Sequence, residues 1–287
     1  MELKYFNCGF NYSQDGPGNR LVYHLQGCNL KCPWCANPEG IPLDGALMSD
    51  GKANGKYCSR NAITDGNPDR KTCKTCEKIC VKAPGSRVKL SCKTEPVEKI
   101  ADYISTCKPM FFDGGGVTFT GGEPTIQFDS LKSLLEILNH NSINTAIECN
   151  GTHPRLPELF NLTDYLIIDC KHYDSEKHNK VCGLPNDKIL NNIRAACELR
   201  NQLLVRIPLI GGFNSSYDDA LRFAELFRKI CADFCEFEFL RYHEFGKDKY
   251  AKCGLEYSMT NEAFVKPETV KEFETVFKKY SLKTIHT

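Results

Sequence analysis

The sequence has almost no net charge, with 37 basic and 36 acidic residues among 287. This balance gives no overall electrostatic attraction to nucleic acid or to an anionic membrane surface. No apolar run approaches the roughly 20 residues that a membrane-spanning helix needs. The first residues, from Met1 to Tyr5, lack the basic and apolar regions of a signal peptide. We therefore expect a cytoplasmic protein that binds neither nucleic acid nor membrane.

Cysteine, in contrast, is abundant, with 17 residues. The odd count and the missing secretory signal argue against a disulfide scaffold. Several cysteines follow one another at gaps of two or three residues, which in a cytosolic protein is more typical of metal binding. Thiolate clusters that bind metal are sensitive to oxygen, so we expect an anaerobic or facultative host.

Length and composition allow one large α/β domain with a small added module, since 41% of the residues are hydrophobic. Residues 51–97 are polar, rich in Lys, Gly and Asn, and too poor in apolar residues to build a core of their own. Metal is the obvious alternative means of folding this segment. We predict a core of residues 1–50 and 98–287 interrupted by a cysteine-rich segment, residues 51–97, which contains Cys58, Cys73, Cys76, Cys80 and Cys92.

The remaining sequence alternates between strand and helix patterns. We predict six strands, at Leu21–Leu25, Val117–Thr120, Thr145–Glu148, Tyr165–Asp169, Leu203–Pro208 and Glu236–Arg241. We predict four helices, at Phe128–Asn139, Asn186–Arg200, Ser216–Ala232 and Pro267–Lys279. Repeated βα units form parallel sheets with right-handed crossovers. Six units predict an incomplete (β/α)6 barrel resembling a TIM barrel, with its chemistry at the carboxyl ends of the strands.

Polar groups follow several of the predicted strands. A Gly121-Gly122-Glu123-Pro124 turn follows the second strand, and its glycines allow a ligand close to the backbone. The later strands end or continue with Glu148, the Asp169-Cys170-Lys171 run, Arg206 and His243. Each residue alone is more typical of a solvated loop or of a satisfied core group. Together they predict a polar small-molecule site.

The most informative feature is Cys28-x3-Cys32-x2-Cys35, directly after the first predicted strand. Three thiolates suit a [4Fe-4S] cluster in which one iron keeps an open position for a further ligand. A structural zinc site normally has four protein ligands. Zinc bound by these cysteines and His24 is the alternative interpretation.

These motifs together resemble the radical S-adenosylmethionine (SAM) superfamily, and within it the glycyl radical enzyme activating enzymes, the family of pyruvate formate-lyase activase. The resemblance depends on the three cysteines and the Gly-Gly-Glu-Pro turn. Further matching motifs run in family order over nearly the whole chain, namely Asp15-Gly-Pro-Gly-Asn-Arg20, Trp34-Cys-Ala-Asn-Pro-Glu39, Asp169-Cys-Lys171, Arg206-Ile-Pro208 and Tyr242-His-Glu-Phe-Gly246.

The resemblance implies that SAM chelates the open iron. One electron from the reduced cluster then cleaves SAM to methionine and a 5′-deoxyadenosyl radical, which removes hydrogen from a glycine of a partner enzyme. An electron donor such as flavodoxin or ferredoxin is also implied. No catalytic side chain is expected beyond the cluster and the SAM site, because the cofactor supplies the difficult chemistry.

The resemblance also assigns residues to the SAM site. Gly121, Gly122 and Glu123 hold the methionyl ammonium, and Trp34 and Ala36 lie beside the adenine. The rest of SAM is surrounded by Glu148, Asp169, Cys170, Lys171, Arg206 and His243. Two positions depart from the family pattern: Cys149 replaces the usual Thr, and Arg241-Tyr242 replaces a Leu-Pro type of sequence. The first departure leaves open whether position 149 contacts a cation or the ribose. The second leaves open the loop geometry before His243.

The cysteine-rich segment resembles half of a two-cluster bacterial ferredoxin, because only one closely spaced run of cysteines is present. This resemblance predicts one auxiliary [4Fe-4S] cluster on Cys58, Cys73, Cys76 and Cys80, relaying electrons or positioning the partner. Zinc suits four cysteines equally well, and Cys92 is an alternative to any one of them. A different radical SAM activity on a small molecule and a non-catalytic electron-transfer protein are the alternative functions.

Overall fold

The fold is described from a computed structural model covering residues 1–10, 15–199, 202–230 and 235–287. A nine-stranded sheet is its central element, and four short strands form two separate antiparallel pairs. The strands, in chain order, are β1 Glu2–Gly9, β2 Arg20–Leu25, β3 Leu47–Ser49, β4 Ile63–Thr64, β5 Asn67–Pro68, β6 Val88–Leu90, β7 Lys93–Pro96, β8 Gly116–Gly121, β9 Thr145–Cys149, β10 Tyr165–Asp169, β11 Leu203–Leu209, β12 Cys235–Arg241 and β13 Lys283–Thr284.

The order of the large sheet is β13-β12-β11-β10-β9-β8-β2-β1-β7. Within this sheet, the parallel strands are β2, β8, β9, β10, β11, β12 and β13. Strands β1 and β7 are antiparallel additions at one edge. The six central parallel strands match the six predicted strands within two residues. This largely parallel α/β sheet confirms the predicted partial barrel, and it brings the carboxyl ends of β2, β8, β9, β10 and β12 to one edge.

Long helices cover the outer side of the sheet, and shorter ones lie in the cysteine-rich segment and beside the cysteine loop. They are α1 Arg70–Cys73, α2 Ile79–Lys82, α3 Val97–Thr106, α4 Phe128–His140, α5 Ser175–Cys182, α6 Asp187–Glu198, α7 Tyr217–Ile230, α8 Lys247–Cys253 and α9 Pro267–Lys279. The four predicted helices correspond to α4, α6, α7 and α9. The predicted last residues of two of them, Arg200 and Ala232, lie outside the described residues.

The main core lies between the sheet and the outer helices. Alternate strand residues such as Leu21, Phe119 and Ile147 are fully buried against leucines of α4 and phenylalanines of α7 and α9. The residues between them, such as Arg20, Glu148 and Arg206, point to the other face because side chains alternate along a strand. The inner face of the barrel is therefore charged, and the outer face supplies most of the hydrophobic stabilisation.

The cysteine-rich segment has a small core of its own, formed by Leu47, Ala53, Ala62, Cys73, Cys80 and Val88. The antiparallel pairing of β3 with β6 joins the chain that enters the segment to the chain that leaves it. Strand β7 and helix α3 already belong to the main sheet and its helical layer. Two cysteines among six core residues mean that little apolar area stabilises this segment.

None of the described helices combines the length and the apolar character that spanning a membrane requires.

Candidate active site

The loop that carries Cys28, Cys32 and Cys35 begins at the carboxyl end of β2 and is fixed by backbone hydrogen bonds. The Cys28 amide donates to the Ile41 carbonyl at 3.0 Å, and the Cys35 amide donates to the Cys32 carbonyl at 3.1 Å. The Asn37 amide donates to the sulfur of Cys35 at 3.4 Å. An amide directed at a cysteine sulfur stabilises the thiolate form that binds metal.

The Gly-Gly-Glu turn after β8 is bonded directly to the strand end that precedes Cys28. The Gly122 amide donates to the Leu25 carbonyl at 2.9 Å, and the Glu123 amide donates to the Gly27 carbonyl at 2.6 Å. A Cβ at position 122 would overlap the Gly27 carbonyl oxygen and lie 2.8 Å from that of Gly40. Glycine is therefore required at 122 by close packing of two backbones.

The Glu123 side chain makes internal hydrogen bonds. It is fully buried, accepts hydrogen bonds from the Thr125 amide at 3.0 Å and the Asn150 amide at 2.5 Å, and also bonds the Thr125 hydroxyl. Burial raises the pKa of this carboxyl. The carboxylate thus ties β8 to the end of β9.

The loop after β9 also holds the cysteine loop. The Asn150 side-chain amide donates to the Asn29 side-chain oxygen at 2.9 Å, and Asn29 in turn donates to the Thr152 hydroxyl at 2.8 Å. Cys149 is buried in the main core, on the face opposite Glu148. The departure from the family pattern at 149 therefore falls on the core side of the strand.

Lys171 and Asp169 form a buried ion pair after β10, with 2.5 Å between Nζ and Oδ2. Burial alone would lower the pKa of Lys171, but the charge of Asp169, followed by the neighbouring Cys32 side chain, raises it. The ammonium is thus close to one of the three motif cysteines. Cys170, predicted to contact the cofactor, points the other way: it is fully buried in the main core, with its sulfur 3.7 Å from the His172 carbonyl oxygen. Alternation along the strand separates the Cys170 side chain from the charged face, and its contact with the cofactor stays a prediction.

Arg206 is the centre of a charged network inside the barrel. Its guanidinium contacts Glu148 at 2.5 Å and Glu238 at 2.8 Å, and it is 2% exposed. Burial would lower the pKa of Arg206, but the two carboxylates raise it. Glu148 also accepts a hydrogen bond from the Thr120 hydroxyl at 2.8 Å. Glu238 was not among the predicted site residues, because β12 alone does not reveal its partner.

Asp15, the first residue of the Asp-Gly-Pro-Gly motif, joins this network. Its side chain lies near Glu148, and burial, followed by the charge of Glu148, raises the pKa of Asp15 to about 8. Its backbone carbonyl accepts a hydrogen bond from the Thr118 hydroxyl at 2.6 Å. The motif was recognised in the sequence, but Asp15 was not predicted as a site residue. Two carboxyl groups in contact share a proton more readily than they both ionise.

The loop after β12 packs on the cysteine loop. Gly246 is buried, and a Cβ there would overlap the Cys35 carbonyl oxygen and lie 3.2 Å from the Ala36 Cα. His243 is half-buried, its ring stacks on Phe245 at 4.1 Å, and burial lowers the pKa of this histidine. His243 and Ala36 are thus brought to the same edge of the sheet.

Trp34 packs against Phe213, with 5.2 Å between ring centroids, in a small apolar cluster that includes Tyr242. The indole is partly exposed, so one side of it remains open at the edge of the site. An apolar ring beside the cluster loop is suited to stacking on a planar base.

Cys182, the last residue of α5, lies beside the motif cysteine Cys32. Its side chain is fully buried, and this neighbour raises the pKa of the Cys32 thiol. Its carbonyl accepts a hydrogen bond from the Lys31 amide at 2.8 Å. No spacing signal connects residues 150 positions apart, so only the fold reveals this contact.

Four of the five cysteines of the cysteine-rich segment line one cavity. Its lining includes Cys58, Cys73, Cys76 and Cys80. The Ala62 amide donates to the Cys58 sulfur at 3.1 Å. Cys92 is not part of this lining, and its nearest recorded polar contacts are backbone carbonyls, including that of Leu43 at 3.9 Å.

Within the described ranges, no three His, Cys, Asp or Glu side chains converge closely enough to hold a single metal ion. This applies to both cysteine groups and to His24, whose pKa burial lowers to about 4.

Helix α8 connects the two cysteine groups. At one end, Arg70 of the cysteine-rich segment donates to the Lys252 carbonyl at 2.9 Å. At the other, the Tyr250 hydroxyl donates to the Pro33 carbonyl at 3.4 Å, and Lys249 pairs with Glu39 at 2.9 Å. The segment is thereby fixed to the same helix that supports the Cys28–Cys35 loop.

Comparisons with known proteins agree with this geometry. The family model of the radical SAM superfamily matches residues 22–224. The 4-hydroxyphenylacetate decarboxylase activating enzyme of Clostridioides difficile is 31% identical, over 92% of this chain and 89% of the relative. The choline trimethylamine-lyase activating enzyme of Oleidesulfovibrio alaskensis is 29% identical, over 93% and 92% of the two chains.

A solved structure of the Streptococcus suis protein SuiB shares the fold. It has a TM-score of 0.55 at 16% identity and covers 92% of this chain and 48% of SuiB. The matched family model, the relatives and the motif geometry lead to one conclusion: this chain belongs to the radical SAM superfamily and, within it, to the glycyl radical enzyme activating enzymes.

Proposed function

We propose that this protein cleaves SAM reductively and uses the resulting 5′-deoxyadenosyl radical to remove hydrogen from a glycine of a partner enzyme. The observation that carries the proposal is the backbone connection between the Gly121–Glu123 turn and the strand end before Cys28. This connection places a glycine-lined surface beside three cysteines, at the carboxyl edge of a parallel sheet. The proposal accounts for the three cysteines and the Gly-Gly-Glu turn in one site. A pure electron-transfer protein would not need the Gly-Gly-Glu turn beside its cysteines.

Cys28, Cys32 and Cys35 are the residues that would hold a [4Fe-4S] cluster. Burial raises the pKa of Cys28 to about 12 and that of Cys35 to about 11, so thiolates here need a cationic partner. Bound there, the cluster supplies one electron to the sulfonium of SAM and leaves one iron position for the amino acid end of SAM.

The protein's own groups then position SAM and exclude water. The Gly121–Gly122 backbone faces the ammonium, and Trp34 with Ala36 lies beside the adenine. Lys171 offers a fixed positive charge near Cys32, held in place by Asp169. The charges of Arg206 are already balanced by Glu148 and Glu238, so Arg206 contributes shape and preorganisation more than a free cation.

The same proposal includes an auxiliary [4Fe-4S] cluster on Cys58, Cys73, Cys76 and Cys80. Four cysteines on one cavity wall, with an amide directed at the Cys58 sulfur, are a donor set suited to this cluster. A cluster also compensates for the small apolar core of the segment. Its link to α8 suggests electron relay as its role.

Metal content tests both clusters. Anaerobically reconstituted protein is expected to contain about eight irons and matching sulfide per chain, because each cluster has four. About four irons together with one zinc would remove the auxiliary cluster and leave the first one.

Two cysteine variants separate the proposed roles. Cys32→Ala is expected to abolish formation of 5′-deoxyadenosine, because it removes a ligand of the SAM-binding cluster. Cys76→Ala is expected to retain some SAM cleavage with dithionite and to lose more of the partner activation. Equal losses in both assays would contradict separate roles for the two groups.

The partner is a glycyl radical enzyme of a class that the relatives' names suggest, such as arylacetate decarboxylases, choline-cleaving lyases, diol dehydratases and C–S lyases. The deciding experiment mixes this protein with SAM, dithionite and each candidate under anaerobic conditions. A doublet in the electron paramagnetic resonance spectrum of one candidate identifies the partner. Cleavage of SAM with no doublet on any candidate would favour a small-molecule substrate.

A further inference from the structure

The positive charge of this nearly neutral chain is concentrated in the cysteine-rich segment. Residues 51–97 contain eleven Lys and Arg against four Asp and Glu, whereas the rest of the chain has an acidic excess of six. Most of these cations are exposed, including Lys52, Lys56, Lys71, Lys74 and Lys82. A concentration of one charge sign on a small surface attracts partners of the opposite sign.

Three residues at the edge of the cysteine cavity stand out. Arg60, Lys78 and Ile79 line the same cavity as the four cysteines. Ile79 is 54% exposed, and Arg60 is exposed with its guanidinium 3.2 Å from the Thr75 hydroxyl. Glu77 is the exposed acidic neighbour on this edge. An exposed apolar side chain surrounded by cations is a common arrangement at the centre of a transient protein interface.

We propose that this edge, which we call the basic rim (Arg60, Lys78 and Ile79), is the docking surface for a small acidic one-electron carrier protein. The proposal rests on the proposed function, since it assigns an entry point for the electron that SAM cleavage consumes. The carrier is oxidised by one electron, and the iron–sulfur centre of this protein is reduced by one.

Charge and position together favour this occupant over others. The basic rim borders the cavity where a bound cluster would come nearest to the surface, so docking there gives a short path for the electron. From the cavity, Arg70 and α8 lead to the Cys28–Cys35 loop. Apart from Arg87, which pairs with Asp50, the exposed cations of the segment have no acidic partner among the recorded ion pairs of the described residues, so they remain available for carboxylates of a carrier.

The test compares reduction by a protein with reduction by a small molecule. Reduced acidic flavodoxin is mixed with the iron-loaded enzyme, and oxidation of its flavin is followed by stopped flow at low ionic strength. The double variant Arg60→Glu/Lys78→Glu is expected to lower the association rate constant by about tenfold or more. Binding of oxidised flavodoxin, measured by calorimetry, is expected to weaken in parallel. Added salt is expected to slow the wild type much more than the variant.

Matched controls isolate the docking step. Lys271→Glu/Lys278→Glu changes the net charge equally on exposed positions of α9 and is expected to behave as wild type. Ile79→Ser, at a largely exposed position, tests the apolar centre without changing charge, and is expected to weaken flavodoxin binding. All variants are compared at equal iron content, and Lys271→Glu/Lys278→Glu is the variant expected to leave dithionite-driven SAM cleavage unchanged.

The outcomes separate this proposal from the proposed function. Wild-type protein that fails to cleave SAM even with dithionite refutes the function itself. Flavodoxin kinetics and binding that do not change in the basic-rim variants refute only the docking surface. Variants that lose iron but bind flavodoxin normally also refute the docking surface. So do variants whose only defect, with dithionite as reductant, is a failure to form the glycyl radical on the partner.

Discussion

The contact between Gly246 and the cysteine loop gives the sharpest structural prediction. Gly246 has φ −78° and ψ −21°, which any residue adopts, so alanine brings no backbone strain of its own. Its Cβ, however, would overlap the Cys35 carbonyl oxygen. Because this neighbour is backbone, the Cys32–Ala36 loop or the His243–Gly246 loop must move by on the order of 1 Å, the scale of misplacement that costs about 100-fold in rate.

Gly246→Ala is therefore expected to lower SAM cleavage by about 10- to 100-fold. Overpacking is expected to cost about 1–3 kcal/mol of unfolding free energy. The assay is 5′-deoxyadenosine formation with dithionite, normalised to iron content, together with urea unfolding. Gly55→Ala is the matched control, since its Cβ would meet nothing closer than 3.4 Å. Cleavage by Gly246→Ala within twofold of wild type would refute the proposed packing of these two loops.

Three further predictions address buried groups. The pKa of Asp15 is about 8 in the folded protein and about 4 unfolded, so its stabilising proton is lost as pH rises through 8. Asp15→Asn is thus expected to raise the melting temperature relative to wild type more at pH 8 than at pH 5, and an equal difference at both would contradict the assignment. Cys182→Ala removes the buried thiol beside Cys32 and is expected to make the midpoint potential of the proposed cluster more negative in a redox titration; an unchanged potential would exclude that role. Arg206→Leu leaves two buried carboxylates unpaired and is expected to cost about 3–5 kcal/mol in urea unfolding, whereas a loss under 1 kcal/mol would show that solvent reaches the pair.

The six central parallel strands and four of the longer helices could be predicted from the sequence because each has a strong apolar pattern. Helix α5 was missed because Ser175–Cys182 is mostly polar and has no apolar stripe. Its end signals were nevertheless present: Asp174 caps the amino end by accepting from the Lys177 amide at 2.9 Å, and Gly183 adopts the left-handed conformation at the carboxyl end. Short helices depend on such caps more than on periodicity.

Contacts between distant residues limited the prediction of the site. The motif residues were identified individually, but the pairing of Glu148, Arg206 and Glu238 depends on strand register, which a single sequence does not give. The burial of Glu123 could not be predicted for the same reason, because its partner Asn150 lies at the end of another strand. Alternation along β10 was sufficient to place Cys170 in the core, and the motif resemblance outweighed that signal.

The most direct test of the central claim measures 5′-deoxyadenosine from SAM by liquid chromatography, using anaerobically reconstituted protein and dithionite. The proposed cluster on Cys28, Cys32 and Cys35 predicts a clear product in wild type and none in Cys32→Ala. Unchanged SAM, in protein that carries zinc at these three cysteines, would contradict it.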